Sequence, residues 1–187
     1  GEEVVIDVSI PFKDSNDLDL TKFTSSNASA LVEVKYNNED EQKILSSNQI
    51  NMIVNSDLDF EVRDEVSENS QGKEVHVVTW LLNNTFHELK NLELSADLYG
   101  DIIWQEENFV VPAGEASFDQ DTKKLVWKID TMPTSVDVLA LQFSVVLNTK
   151  NPTQTNLSSK VKIMAEDTIT GEKIMKAGDE LLLTSEN

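Results

Sequence analysis

Apolar and polar residues alternate over long stretches of this chain, and a period of two fits half-buried β-strands, one face against a core and one in water. Leu139, Leu141, Phe143, Val145 and Leu147 form the clearest run. Val4 to Phe12 at even positions, Leu92 to Leu98 at even positions, and Leu125, Trp127 and Ile129 form others. Between the runs lie residues that break strands for physical reasons. Asn37-Asn38-Glu39-Asp40, Pro112-Ala113-Gly114, Asp119-Gln120-Asp121 and Asn151-Pro152 accept turn dihedrals or remove a ladder donor. No window carries a convincing helical stripe. Many short strands with regular turn signals predict an all-β, antiparallel two-sheet sandwich.

The end of the chain also repeats the pattern of its beginning. Val8, Ile10 and Phe12 answer to Phe143, Val145 and Leu147; Val32 and Val34 to Val161 and Ile163; Lys43-Ile44 to Lys173-Ile174; Ile50 and Met52 to Leu181 and Leu183. The offset stays near 130 positions. Successive copies of one domain produce such a period, with residues 1–58 as the closing strands of one copy and residues 59–187 as a complete sandwich. The boundary falls in Asn55-Ser56-Asp57-Leu58-Asp59, with a new strand from Phe60. A half sandwich leaves apolar faces and strand edges open, so the first piece is expected to pack on the second, pair with another chain, or be less stable.

Acidity narrows the partners. The 187 residues hold 34 acids against 15 basic residues, of which only Arg63 is an arginine, for a formal charge of −19. Such a surface repels phosphate backbones and anionic headgroups, so nucleic acid and bare membrane are poor partners. No apolar run is long enough to span a bilayer. The Gly-Glu-Glu start is neither an initiator Met nor a signal peptide, and reads as an excised piece of something longer. Cysteine is absent, which removes disulfides and thiol chemistry without choosing a compartment.

Residues 75–183 resemble the immunoglobulin-like domains of the DUF11-like class, which occur in tandem in bacterial cell-wall and envelope proteins. The matching stretches are Val77-Val78-Thr79-Trp80-Leu81-Leu82-Asn83-Asn84, Leu89-Lys90-Asn91-Leu92-Glu93-Leu94, Phe118-Asp119 with Thr122, and Leu125-Val126-Trp127-Lys128-Ile129. Phe143-Ser144-Val145 and Ala165-Glu166-Asp167-Thr168 with Thr170-Gly171 complete the series. Two features depart from the class: Leu98-Tyr99-Gly100 stands where a Leu-Pro-like break is usual, and the linker has less Gly and Ser. The resemblance implies an extracellular or surface-attached stalk of immunoglobulin-like sandwiches. It carries over no catalytic residue, because its pattern consists of core and turn positions.

Candidate chemistry is sparse. Calcium takes clustered carboxylate oxygens, and Asp57, Asp59 and Asp64 crowd the proposed junction while Asp14, Asp17 and Asp19 crowd one loop. Neither cluster has EF-hand spacing, and a solvated acidic surface accounts for both. His76 and His87 lack metal-ligand spacing and read as a strand and a loop residue. There is no Gly-x-Ser-x-Gly elbow and no Gly-rich phosphate loop. Lys73 and Asn156 are conceivable partners for an internal Lys–Asn bond, with ordinary surface roles favoured. Trp80 and Trp127 read as core, while Trp104, at a strand end beside Gly100, could serve as core or as an exposed anchor for a sugar or protein ligand.

The expectation is therefore a non-enzymatic structural module without a cofactor, a spacer repeat whose partners are neighbouring repeats. The alternative is an adhesin domain that recognises a glycan or protein through its end loops, and an exposed Trp104 would favour it. A carbohydrate-active domain would need a cleft with two facing carboxylates.

Overall fold

A computed structural model of the chain describes residues 7, 9, 27–38, 41–149 and 153–183. The Val4–Phe12 run, apart from Asp7 and Ser9, the Asp14/Asp17/Asp19 loop and the Asn151-Pro152 turn lie outside these residues. Regular structure among the described residues is antiparallel strand, with one short 3-10 turn at Glu106–Asn108.

The sandwich is formed by nine strands. In chain order they are β5 (Asp59–Glu68), β6 (Glu74–Asn83), β7 (Leu89–Asp97), β8 (Asp101–Trp104), β9 (Glu115–Asp119), β10 (Lys124–Met132), β11 (Val138–Thr149), β12 (Lys162–Asp167) and β13 (Lys173–Ala177). One sheet has the order β5-β6-β11-β8 and the other β13-β12-β7-β10-β9. Crossovers between the sheets make this an immunoglobulin-like β-sandwich. The alternating runs supply the core: Val78, Trp80 and Leu82 from β6, Leu92, Leu94 and Ala96 from β7, Leu125, Trp127 and Ile129 from β10, and Leu139 to Leu147 at odd positions from β11 are all buried.

An aromatic row ties the four-stranded sheet together. Phe60 on β5, Trp80 on β6, Phe143 on β11 and Trp104 on β8 stand on successive strands, with centroids 6.0, 5.8 and 5.4 Å apart. At the end of the row Trp104 stacks on Phe118 of β9 at 4.3 Å, which joins the two sheets along one side. Edge-on and stacked aromatic pairs add stability of about 0.5–1.5 kcal/mol beyond their burial. The edge strand β5 carries Asp59, Glu61, Arg63 and Glu65 on its exposed side, where charge discourages pairing with another chain.

Among the described residues, four shorter strands precede the sandwich: β1 (Asn27–Ala30), β2 (Glu33–Asn38), β3 (Glu41–Ser46) and β4 (Ile50–Ile53). β1 pairs with β4, and β2 with β3; Asn37 and Asn38, expected from sequence in a turn, are the last residues of β2, opposite Gln42 and Glu41. Among the described residues these strands make no element contact with β5–β13. Leu45, Ile50 and Ile53 are more than half exposed, and Val34 and Tyr36 are exposed as well.

Candidate functional site: the junction and its end loops

Residues 54–58 enter the sandwich through hydrogen bonds with two of its end loops. Asp57 Oδ1 accepts from the Thr85 and Phe86 backbone N–H groups at 2.9 and 2.8 Å, and Oδ2 accepts from the Thr85 hydroxyl at 2.5 Å. One carboxylate thereby organises the turn between β6 and β7. Burial pushes its pKa up, but the Thr85 hydroxyl and the two N–H groups outweigh this and hold it below the usual carboxylate range.

Asp167, fully buried, does the same from the turn between β12 and β13. Its Oδ1 accepts from Ile169 N at 2.8 Å and Thr170 N at 3.0 Å. Its Oδ2 accepts from Ser56 N at 2.8 Å and lies 2.7 Å from His87 Nδ1, which is the donor in this pair. Burial lifts this carboxyl too, and the His87 and backbone N–H donors more than reverse it. Buried Asn84 donates to the His87 carbonyl at 2.7 Å and accepts from the Ser56 hydroxyl. Leu58 is buried in the core, and its carbonyl accepts from Lys176 Nζ. The junction is thus bonded to both loops and anchored by an apolar side chain.

Ser56, His87 and Asp167 meet here, yet they do not form an activated nucleophile. The Ser56 hydroxyl contacts Asn84 Oδ1 and, at 3.3 Å, the His87 carbonyl, while its backbone N–H goes to Asp167. A serine nucleophile needs an imidazole nitrogen on its hydroxyl as base. The arrangement instead closes a hydrogen-bond knot between the junction and the two end loops.

The acids proposed from sequence as one calcium site do not converge. Asp57 is committed to Thr85 and Phe86; Asp59 is exposed at the start of β5; Asp64 lies 2.7 Å from His76 Nδ1. Asp59 and Asp64 are an odd number of positions apart on one strand, so they face opposite sides of the sheet. Among the described residues no group of three or more His, Asp or Glu side chains could hold a metal ion. Trp104 is 8% exposed and sits in the aromatic row, not on the surface. The cleft beside it, about 240 Å³, is lined by Ile102, Ile103, Phe118, Gln120 and Lys123 as well.

Two further polar groups lie outside the junction. His76 is buried at the end of the inward face of β6, with Glu74 Oε1 2.9 Å from Nε2 and Asp64 on Nδ1. Burial pushes its pKa down, and the two carboxylates more than reverse this, holding the imidazole above its ordinary value. Lys73 Nζ donates to Asn148 Oδ1 at 2.5 Å, and Asn148 Nδ2 donates to Asp101 Oδ2 at 2.9 Å. Asn156, the partner proposed from sequence, instead bridges to Leu182 and accepts from the Thr155 hydroxyl. In the trio that does form, Nζ meets the carboxamide oxygen, and Asn148 and Asp101 are exposed to water.

The sequence singles out Asp57, but not Ser56, Asn84 or His87. The motif Ala165-Glu166-Asp167-Thr168 with Thr170-Gly171 marks the second loop, and an Asp opening a turn is the signal that could have located it.

No protein-family model matches the chain, and no curated protein matches it significantly. Solved structures of similar architecture include the full-length major pilin SpaD of Corynebacterium diphtheriae, at 14% identity and TM-score 0.45, covering 66% of this chain and 34% of the pilin. The major pilin subunit BcpA of Bacillus cereus is 11% identical with TM-score 0.47, over 81% of this chain and 47% of its own. Three N-terminal domains of the type V pili tip protein Mfa5 of Porphyromonas gingivalis are 12% identical with TM-score 0.42, over 55% and 22%. This chain therefore spans only about a fifth to a half of those structures. The immunoglobulin-like arrangement is carried by the chain's own two sheets.

Proposed function

We propose that the chain is a structural module of a bacterial surface protein, a non-enzymatic spacer repeat that holds its neighbours at a fixed distance. The observation that carries this reading is the bonded junction. A flexible linker leaves its backbone to water, whereas Ser56 and Asp57 are bonded into the loops at residues 84–88 and 167–170, and Leu58 fills a core position. A chain entering a sandwich in this way transmits orientation and tension directly into two sheets. The net charge of −19 keeps such modules apart and soluble. Among the described residues no helix is long and apolar enough to cross a membrane.

The adhesin alternative has less to support it, because the aromatic it relied on is packed against Phe118 and Phe143. Hydrogen exchange tests the spacer reading. The amides of Ser56, Thr85 and Phe86 should exchange as slowly as those of β6. Exchange at the rate of an open linker would make the junction a hinge and overturn the reading.

A further inference from the structure

The short strands before the sandwich follow the pairing of its closing segment, with the four-residue β1–β4 ladder standing where the second copy has a single bridge. Asn27 bridges Ile53 as Asn156 bridges Leu182, an offset of 129 at both ends. The Ser47 N–H reaches the Val32 carbonyl at 2.8 Å, as the Gly178 N–H reaches that of Val161 at 2.8 Å. Between those points β2 pairs with β3 as β12 pairs with β13, so Glu33↔Ser46 corresponds to Lys162↔Ala177. The pairing corrects two of the sequence matches: Lys43, not Ile44, stands where Ile174 does, and Met52, not Ile50, where Leu181 does.

The two copies differ in what covers them. Ile163 and Ala165 are buried, 1% and 5% exposed, because β12 is flanked by β7 and faces the opposite sheet. Their counterparts Val34 and Tyr36 are 39% and 40% exposed, and among the described residues β2 has β3 on one side and no strand on the other. Where the second copy faces solvent the two agree: Leu182 is 60% exposed and its counterpart Ile53 57%. The excess exposure therefore lies on the surface that a sandwich of this kind covers internally.

From this correspondence we infer that the edge of β2 away from β3, which no described strand occupies, and the Val34/Tyr36 face form a strand-acceptor site, and that its occupant is the opening half of another sandwich of this type, distinct from the β5–β13 sandwich of a second copy of this chain. The second copy specifies the partner's chemistry. β7 pairs antiparallel with β12, setting Leu94 opposite Ile163 and Ser95 opposite Lys162, so the incoming strand is an alternating one with a large apolar residue opposite Val34. Main-chain bonds to β2 provide affinity, and the alternate side chains provide register. The inference rests on the spacer reading, since it is how one module would be completed by the residues that open it.

The test adds a second copy of Leu89–Asp97 ahead of Gly1 through a flexible Gly/Ser tether, which sets an effective concentration in the millimolar range. The control carries Leu92→Asp and Leu94→Asp in the added copy only. Hydrogen exchange across Glu33–Asn38 should be at least tenfold slower in the tethered chain than in the control. Equal exchange in the two chains would overturn the inference, as would concentration-dependent protection in the untethered chain, which would assign the face to a second copy. Exchange at Ser56, Thr85 and Phe86 is read in the same experiment, so failure of the acceptor site and failure of the spacer reading are told apart.

Discussion

At the scale of single residues, the junction turns on two carboxylates that replace water with backbone donors. Asp57→Ala removes an acceptor from Thr85 N, Thr85 Oγ1 and Phe86 N together. Losing a charge-assisted acceptor for several donors costs about 1–3 kcal/mol, read from the urea midpoint at neutral pH. Asp59→Ala, two residues away and exposed, should stay within about 0.5 kcal/mol. The pH dependence has opposite signs at the two kinds of site. Asp57 and Asp167 are held below their unfolded values, so their contribution is complete above about pH 4 and is lost as pH falls through the folded values. His76 is held above its unfolded value, so its contribution is complete below about pH 6 and is lost as pH rises through the folded value. His76→Gln should abolish this decline on the alkaline side and leave the acid side intact, as followed by urea midpoints across pH. Asp57 is legible in the sequence as a junction acid, but its three donors are not. They lie 28 and 29 positions away, and only the closing of the β5–β6 hairpin brings them together. His87 reads as a loop histidine because its partner is 80 positions distant.

At the scale of elements, the strands themselves are the most legible feature. The odd positions of β11 and the run Leu125, Trp127, Ile129 of β10 are buried as their alternation predicts, since a side chain's face follows from its parity within a strand. Trp104 is harder to place because its strand, β8, is only four residues long and offers too little alternation to fix a face. Its burial comes from Phe118 and Phe143, on strands that sequence order does not bring together. The Pro112-Ala113-Gly114 break is legible as a turn, but its reason is tertiary. Gly114 has φ +71, and a Cβ there would lie 2.0 Å from the Lys128 carbonyl oxygen of β10. Its neighbour Ala113 supplies the carbonyl that accepts from the Trp127 indole N–H at 2.8 Å. Gly114→Ala should therefore combine backbone strain with a displaced β9 entry, destabilise by about 2 kcal/mol or more, and change Trp fluorescence in the native state. An unchanged urea midpoint and emission spectrum would contradict that account.

At the scale of the whole molecule, charge acts without a specific site. With −19 spread over 187 residues, the compact state carries self-repulsion that the expanded chain relieves, and salt screens it. The melting midpoint should rise between low salt and about 0.3 M NaCl, where the Debye length is well under 10 Å. Calcium separates screening from coordination. Ligation at the junction would need Asp57, Asp59 and Asp64 to turn toward one point, yet Asp57 is bonded to Thr85 and Phe86, and Asp59 and Asp64 face opposite sides of β5. Releasing Asp57 would leave two backbone donors unpaired, so binding would oppose the fold instead of reinforcing it. Any shift of the melt by millimolar calcium beyond that of NaCl of equal ionic strength should thus be as large in Asp57→Ala as in the unsubstituted chain. A calcium-specific rise of several degrees that Asp57→Ala abolishes would mean that ligand stabilises the folded state through the junction by mass action, which would require a junction rearranged from the one bonded to the 84–88 loop.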